Sequence, residues 1–172
     1  MTTFTSYIRL IVFIGAMLLG IQVPGFVDQY GKSLEAHFNE SRLALAEFED
    51  EAARYFGGDM EKLIAHYKRS GDQIFIEGGD SISAIYQRHF LLKSHLANFR
   101  QGFLWAYHQA VIEPLPDIQQ EVRMNFTHVI SLKADAIAFG LGAGLLMAIL
   151  CELFLKGISA LVRLPFKRKA VQ

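Results

Sequence analysis

Residues 136–151 read AIAFGLGAGLLMAILC, sixteen positions without a charge. Past Glu152 the apolar character resumes in Leu153, Phe154 and Leu155. At about 1.5 Å of rise per residue, 18 to 20 helical residues cover roughly 27–30 Å, the thickness of a bilayer core. A membrane helix is therefore expected over residues 135–156. The alternative, a buried core helix, sits poorly with a chain of 172 residues that carries two such runs. Within this run Ala136, Gly140, Gly144 and Ala148 recur at every fourth position and so share one helix face. Small residues at that spacing let two backbones approach closely, which matters in lipid because no hydrophobic drive brings helices together. Glycine is also simply common in membrane helices, and the pattern does not say whether a partner helix is in the same chain.

Immediately beyond lies Glu152, with Lys156 four residues on. A carboxylate inside a membrane is a candidate proton or cation ligand. The same spacing also suits an interfacial ion pair worth a few tenths of a kcal/mol. The remaining tail, residues 157–172, holds Arg163, Lys167, Arg168 and Lys169 and no acid. Those cations can bind anionic lipid headgroups or act as an orientation signal.

At the other end, residues 10–27 form a second uncharged run, LIVFIGAMLLGIQVPGFV. A cleavable signal peptide is the competing interpretation, but no small-x-small cleavage pattern follows, and an uncleaved anchor is expected. Ala16 and Gly20 repeat the small-residue spacing in shorter form, and Pro24-Gly25 is a candidate kink. Residues 28–133 carry 15 acidic and 11 basic side chains, so the cationic excess lies in the C-terminal tail. By the positive-inside rule both termini face the cytoplasm. The expected layout is a cytoplasmic N-terminus over 1–9, a span over 10–27, a periplasmic domain over 28–134, a second span over 135–156 and a basic cytoplasmic tail over 157–172.

The domain between the spans patterns as helix. Leu34, Phe38, Ser41, Leu45, Phe48, Ala52 and Tyr55 step by four and three, a heptad stripe that ends at Gly57-Gly58. Asp59 is placed to cap a short helix to about Arg69, and Ser70-Gly71-Asp72 breaks the chain. After Gly78-Gly79, a long helix capped by Asp80 or Ser81 is expected to run to about Ile112. Its stripe is Ile85, His89, Leu92, Leu96, Phe99, Phe103, Ala106 and Ala110. Pro114-Leu115-Pro116 forces a turn. Asp117 with Gln120 resembles a capping box, and the helix they start is expected to continue unbroken into the second span. The fold class is therefore all-α: two transmembrane helices flanking an elongated, coiled-coil-like periplasmic bundle.

Several residues resemble a known family. Gln22-Val23-Pro24-Gly25-Phe26, Tyr30, Phe56-Gly57-Gly58-Asp59, Leu63-Ile64-Ala65-His66-Tyr67 and Ser70-Gly71-Asp72 resemble a domain of unknown function found in two-span bacterial inner-membrane proteins. The glycine-rich residues 139–146 fit it as well. The resemblance implies topology and a bacterial inner-membrane location. It implies no activity.

Chemistry is sparse. Seventeen basic residues balance seventeen acidic ones, so the basic excess that accompanies nucleic-acid binding is missing. Cys151 is the single cysteine, which excludes an intrachain disulfide and any cysteine-cluster metal site. The histidines at 37, 66, 89, 95, 108 and 128 never fall four apart, and no HExxH, phosphate loop, dinucleotide fingerprint or Gly-x-Ser-x-Gly occurs. Asp72, Glu77 and Asp80 flank glycines without the ligand order of a calcium loop. No cofactor, no metal and no enzymatic activity are expected. The leading expectation is a non-enzymatic assembly or scaffold protein. It would self-associate or dock a membrane-complex partner through the stripes at Leu45, Phe48, Leu92, Leu96, Phe99 and Phe103 and through the small-residue face. The alternatives are a sensor or regulatory subunit working with a separate cytoplasmic partner, and an oligomeric channel or transport subunit with a ring of Glu152 side chains.

Overall fold

A computed structural model of the chain describes residues 2–126 and 134–163, with side chains described over 5–126 and 134–158. The architecture is all-α: α1 (Thr2–Phe56), α2 (Met60–Lys68), α3 (Gln73–Phe99), α4 (Phe103–Tyr107), a π-helical turn (His108–Ile112), α5 (Pro116–Asn125) and α6 (Ala134–Arg163). No strand occurs among the described residues. Two helices contain windows long and apolar enough to cross a membrane, within Thr5–Phe56 and Ala134–Ile158. The chain divides into two compact units, Met1–Phe26 with Thr127–Gln172, and Val27–Phe126.

In the first unit, α1 and α6 pack antiparallel through small residues. Phe13 lies opposite Gly144, Met17 and Ile21 lie opposite Gly140, and Gly20 lies opposite Gly140 and Ala143. Advancing along α1 means retreating along α6. Outside this seam the side chains are apolar and exposed, including Ile11 and Leu19 on α1 and Leu145, Leu146 and Phe154 on α6.

The second unit is a bundle with a conventional core. Its largest fully buried side chains are Tyr30, Leu34, Leu45, Leu63, Leu92, Ile118 and Val122. Burying a leucine or isoleucine contributes roughly 1.5–3 kcal/mol each. α3 runs antiparallel to α1: Phe99 lies against Gly31, and ten residues back along α3 His89 meets Ser41, ten residues forward along α1. Near the turn between them, α2 closes a cluster of Leu45, Ala52, Met60, Leu63, Ile64 and Ile82.

Local chemistry explains the boundaries. Gly57 and Gly58 adopt φ of +64° and +85°, and the Gly58 amide donates to the Ala52 carbonyl at 2.9 Å, a left-handed C-terminal cap. Asp59 accepts from the Lys62 amide at 3.1 Å, and those hydrogen bonds hold its carboxyl below the usual range.

α1 continues from the first apolar run through Pro24 into the heptad stripe as one helix. Four expectations need correction. α3 starts at Gln73, where Asp72 caps it by accepting from the Ile74 amide at 2.9 Å, not at Asp80 or Ser81. The Gly78-Gly79 pair is helical. Gly79 is small because α2 crosses there: a Cβ would lie 2.8 Å from Lys68 Cγ and 3.1 Å from the Lys68 amide nitrogen. The long helix also ends early, at Phe99. Gly102, at φ +149°, redirects the chain before α4, so Phe103 leaves the stripe and is exposed. Finally, α5 begins with Pro116 at its first turn, which needs no amide donor, and Asp117 sits inside the helix with no capping role. It ends at Asn125, where Phe126 turns extended, and so does not run unbroken to α6.

Candidate functional site

Two groupings bring polar or closely packed residues together, one in each unit. The first is the α1–α6 seam. Of the small residues singled out on α6, Ala136, Gly140 and Gly144 are buried and Ala148 is half-buried; on α1, Gly20 is buried and Ala16 half-buried. A Cβ on Gly140 would stand 2.9 Å from the Met17 carbonyl oxygen, and one on Gly144 would stand 3.0 Å from that of Phe13. Both obstacles are backbone, which a rotamer change cannot relieve. The face is thus used within the protomer, with α1 as the helix it packs against.

At the end of this seam Glu152 is held by two cations. Arg9 reaches it at 3.3 Å from α1, and Lys156 at 2.8 Å from the next turn of α6. All three side chains remain substantially exposed. Arg9 was not anticipated, although a signal existed: two antiparallel helices with uncharged runs starting at 10 and ending at 151 bring residues 9 and 152 to the same end. Arg163, Lys167, Arg168 and Lys169, the expected headgroup contacts, lie outside the residues whose side chains are described.

The second grouping is a polar layer among α1, α3 and α5. Ser33 donates to Glu121 Oε1 at 3.0 Å, and His37 Nε2 lies 2.7 Å from Glu121 Oε2. These hydrogen bonds, His37 first and Ser33 second, hold the Glu121 carboxyl below its ordinary range. Serine, histidine and glutamate suggest a catalytic triad by composition, but the order is wrong. The carboxylate stands in the middle and accepts from both neighbours, whereas nucleophile activation needs the imidazole between hydroxyl and acid. Arg88 pairs with Asp117, and Arg100 with Glu35 at 2.7 Å. The Leu115 amide donates to the buried Tyr30 hydroxyl oxygen at 3.0 Å, and burial raises the pKa of that phenol. His89 meets Ser41 at 3.1 Å through Nδ1 and stacks on Phe38 at 5.1 Å between centroids. Each contact joins residues on, or capping, two different helices and so positions those elements.

The stripe residues occupy the core of this unit. Leu45, Leu92 and Leu96 are buried, Phe48 and Phe99 are half-buried, and only Phe103 among them faces outward. Tyr55, at the end of the first stripe, is also exposed. His37, His66, His89, His95 and His108 are dispersed, and among the described residues no three His, Cys, Asp or Glu side chains gather as a metal site would require. His128 lies outside the described residues.

No curated protein and no solved structure matches the chain. A family model does match residues 4–164, which is nearly the whole length and takes in both apolar helices and the bundle. The chain belongs to the family described as Protein of unknown function (DUF2937).

Proposed function

We propose that this chain is a bacterial inner-membrane protein that crosses the bilayer twice, with both termini cytoplasmic and residues 28–134 periplasmic. There it serves as a non-enzymatic assembly or scaffold protein. The observation that carries the reading is the surface of the two apolar helices. Only 17% and 11% of their most apolar windows are buried, so neither behaves as the core helix of a water-soluble protein. Lipid is the solvent that accommodates Ile11, Leu19, Leu145, Leu146 and Phe154. What supports the scaffold role is what the polar groups do. Ser33, His37, Glu121, Arg88 and Asp117 fasten helices to one another, and Glu152 is already engaged by Arg9 and Lys156. Because the small-residue seam and most of both stripes are occupied inside the protomer, assembly uses outward surfaces: the lipid-facing sides of α1 and α6 and exposed apolar residues such as Leu43, Phe90 and Leu91.

Two measurements test this. A reporter active only in the periplasm is active when inserted near Gly71 and silent when fused after Gln172; the reverse pattern overturns the topology. Native mass spectrometry of the chain in nanodiscs gives an oligomer or a stoichiometric partner. A lone monomer that pulls down nothing overturns the scaffold role. A sensor or regulatory subunit is the second reading, and the observation in its favour is that α1 runs as one helix from Thr2 to Phe56. A tail-dependent cytoplasmic partner distinguishes that case.

A further inference from the structure

Residues 101–112, QGFLWAYHQAVI, form the longest stretch without Asp, Glu, Lys or Arg in the whole of 27–126. They build α4 and the π-helical turn, which dock on the bundle by one side only. Gln109 and Ala110 are buried and Ala106 half-buried, while Phe103, Leu104, Trp105, Val111 and Ile112 are all more than half exposed. The Phe103 and Tyr107 rings meet at a tilt with centroids 4.3 Å apart, so the outward apolar side is continuous across one turn. Five large apolar side chains on one docked segment are not scattered surface residues.

Their place in the bundle identifies what covers them. α4 follows directly from the end of α3, where Phe99 lies against Gly31. Gly31 is four residues beyond Val27, about 6 Å along α1 at ~1.5 Å per residue. The interfacial layer on each side of a hydrocarbon core is about 5–8 Å thick. The chain leaves the bundle at this same end, since the Asn125 carbonyl accepts from Gln29 Nε2 at 3.4 Å. The aromatic composition is that of a membrane–water boundary, where Trp and Tyr place an apolar ring in the acyl region and a polar edge at the headgroups. Ten helical residues are too few to cross.

We propose that residues 103–112 form an interfacial anchor, lying in the headgroup–acyl boundary of the bilayer with Phe103, Leu104, Trp105, Val111 and Ile112 in lipid. The inference rests on the membrane reading above, and the test separates the two. Trp105 is the only tryptophan, so its fluorescence reports this segment alone. The full chain is reconstituted into phosphatidylcholine–phosphatidylglycerol vesicles, with lipids brominated near the headgroup as one quencher and iodide on both sides of the bilayer as the other. The expected result is loss of most Trp105 emission to the brominated lipid and little to iodide. Leu104→Asp together with Ile112→Asp, at exposed positions, reverses that preference while helical circular dichroism stays unchanged. Trp105 quenched by iodide in a carbonate-resistant chain overturns the anchor and leaves the membrane reading standing. Trp105 protected from both quenchers also overturns it, in favour of cover by a second copy of the chain. A chain extracted by alkaline carbonate overturns both.

Discussion

The two units solve the same packing problem with opposite materials. In the bundle, the space between helices is filled by Tyr30, Leu34, Leu45, Leu63, Leu92, Ile118 and Val122, and the outside carries the charges. In the α1–α6 pair, Gly20, Gly140 and Gly144 let the backbones close on one another with Phe13, Met17 and Ile21 seated against them, while Ile11, Leu19, Leu145, Leu146 and Phe154 face away. On the membrane reading proposed above, the inversion follows from the solvent each unit meets. Water drives bulk inward, so a water-facing unit gains by burying volume. Lipid rewards no such burial, and helices associate there through close backbone approach and dispersion. One chain thus carries two rules for what a buried residue should be.

The largest expected effect breaks the comparison if it fails. Leu92→Ala in the bundle leaves a cavity beneath a side chain that is 1% exposed, and should cost about 2–5 kcal/mol. Leu146→Ala on α6, where the side chain is 59% exposed, should leave unfolding nearly unchanged. Both are followed by denaturant titration of helical circular dichroism in the same detergent. Equal losses would mean that α6 is packed like a core helix and that the two units obey one rule.

Next comes bulk in the seam. Gly140→Ile places a branched side chain against the Met17 carbonyl and Ile21 and should destabilise by roughly 1–3 kcal/mol or more. Gly142→Ile, two residues away with nothing within 4 Å of its Cβ position, is the control and should be tolerated. Thermal unfolding in nanodiscs reads the difference. If both variants melt alike, the seam is not where the helices meet.

A pair of neighbours sharpens the bundle's side. Gly79→Ala meets Lys68 and Tyr67 at 2.8–3.1 Å and should destabilise the α2–α3 contact. Gly78→Ala meets only the Tyr67 ring, at 3.7 Å or more, and should gain about 0.4–1 kcal/mol from reduced unfolded-state freedom. Opposite signs at adjacent glycines, measured by urea midpoint, are the expected outcome.

Those glycines also mark how much of the molecule was legible in its sequence. Periodicity revealed the helical class, the two apolar runs, the short capped helix after Asp59 and the inward residues of both stripes, because these are local patterns in residue type. It misplaced the start of α3, since Gly78-Gly79 looks the same whether glycine serves a turn or a close crossing, and only the position of Lys68 on α2 decides between them. The small-residue face stood out on α6, but its partners Phe13, Met17 and Ile21 are more than a hundred residues away and carry no small-residue signature. The link between Ser33, His37 and Glu121 was invisible for the same reason. Ser33 and His37 share a helix face, yet nothing local says which acid from α5 will reach them.

That last network supplies the smallest expected effect, and it concerns acid. Glu121 has its carboxyl pKa lowered chiefly by the hydrogen bonds from His37 and Ser33. A group with a lowered folded-state pKa contributes stability that is fully present above its unfolded pKa, ~4.3 for glutamate, and is lost as pH falls through the lowered value. The loss of this contribution therefore belongs below about pH 4.3, in the acid limb. Its size is limited because the Glu121 side chain is 45% exposed and water screens the pair. Glu121→Gln should keep part of the hydrogen bonding while removing the titration, so the wild-type and variant stability curves converge in acid and separate slightly near neutrality. The comparison is made by urea midpoint across pH 3 to 7, together with Leu92→Ala as a reference whose cavity cost is independent of pH. A wild-type advantage over Glu121→Gln that persists undiminished at the acid end would mean that the ionised carboxylate is not what ties α5 to α1, and that Ile118 and Val122 hold that helix alone.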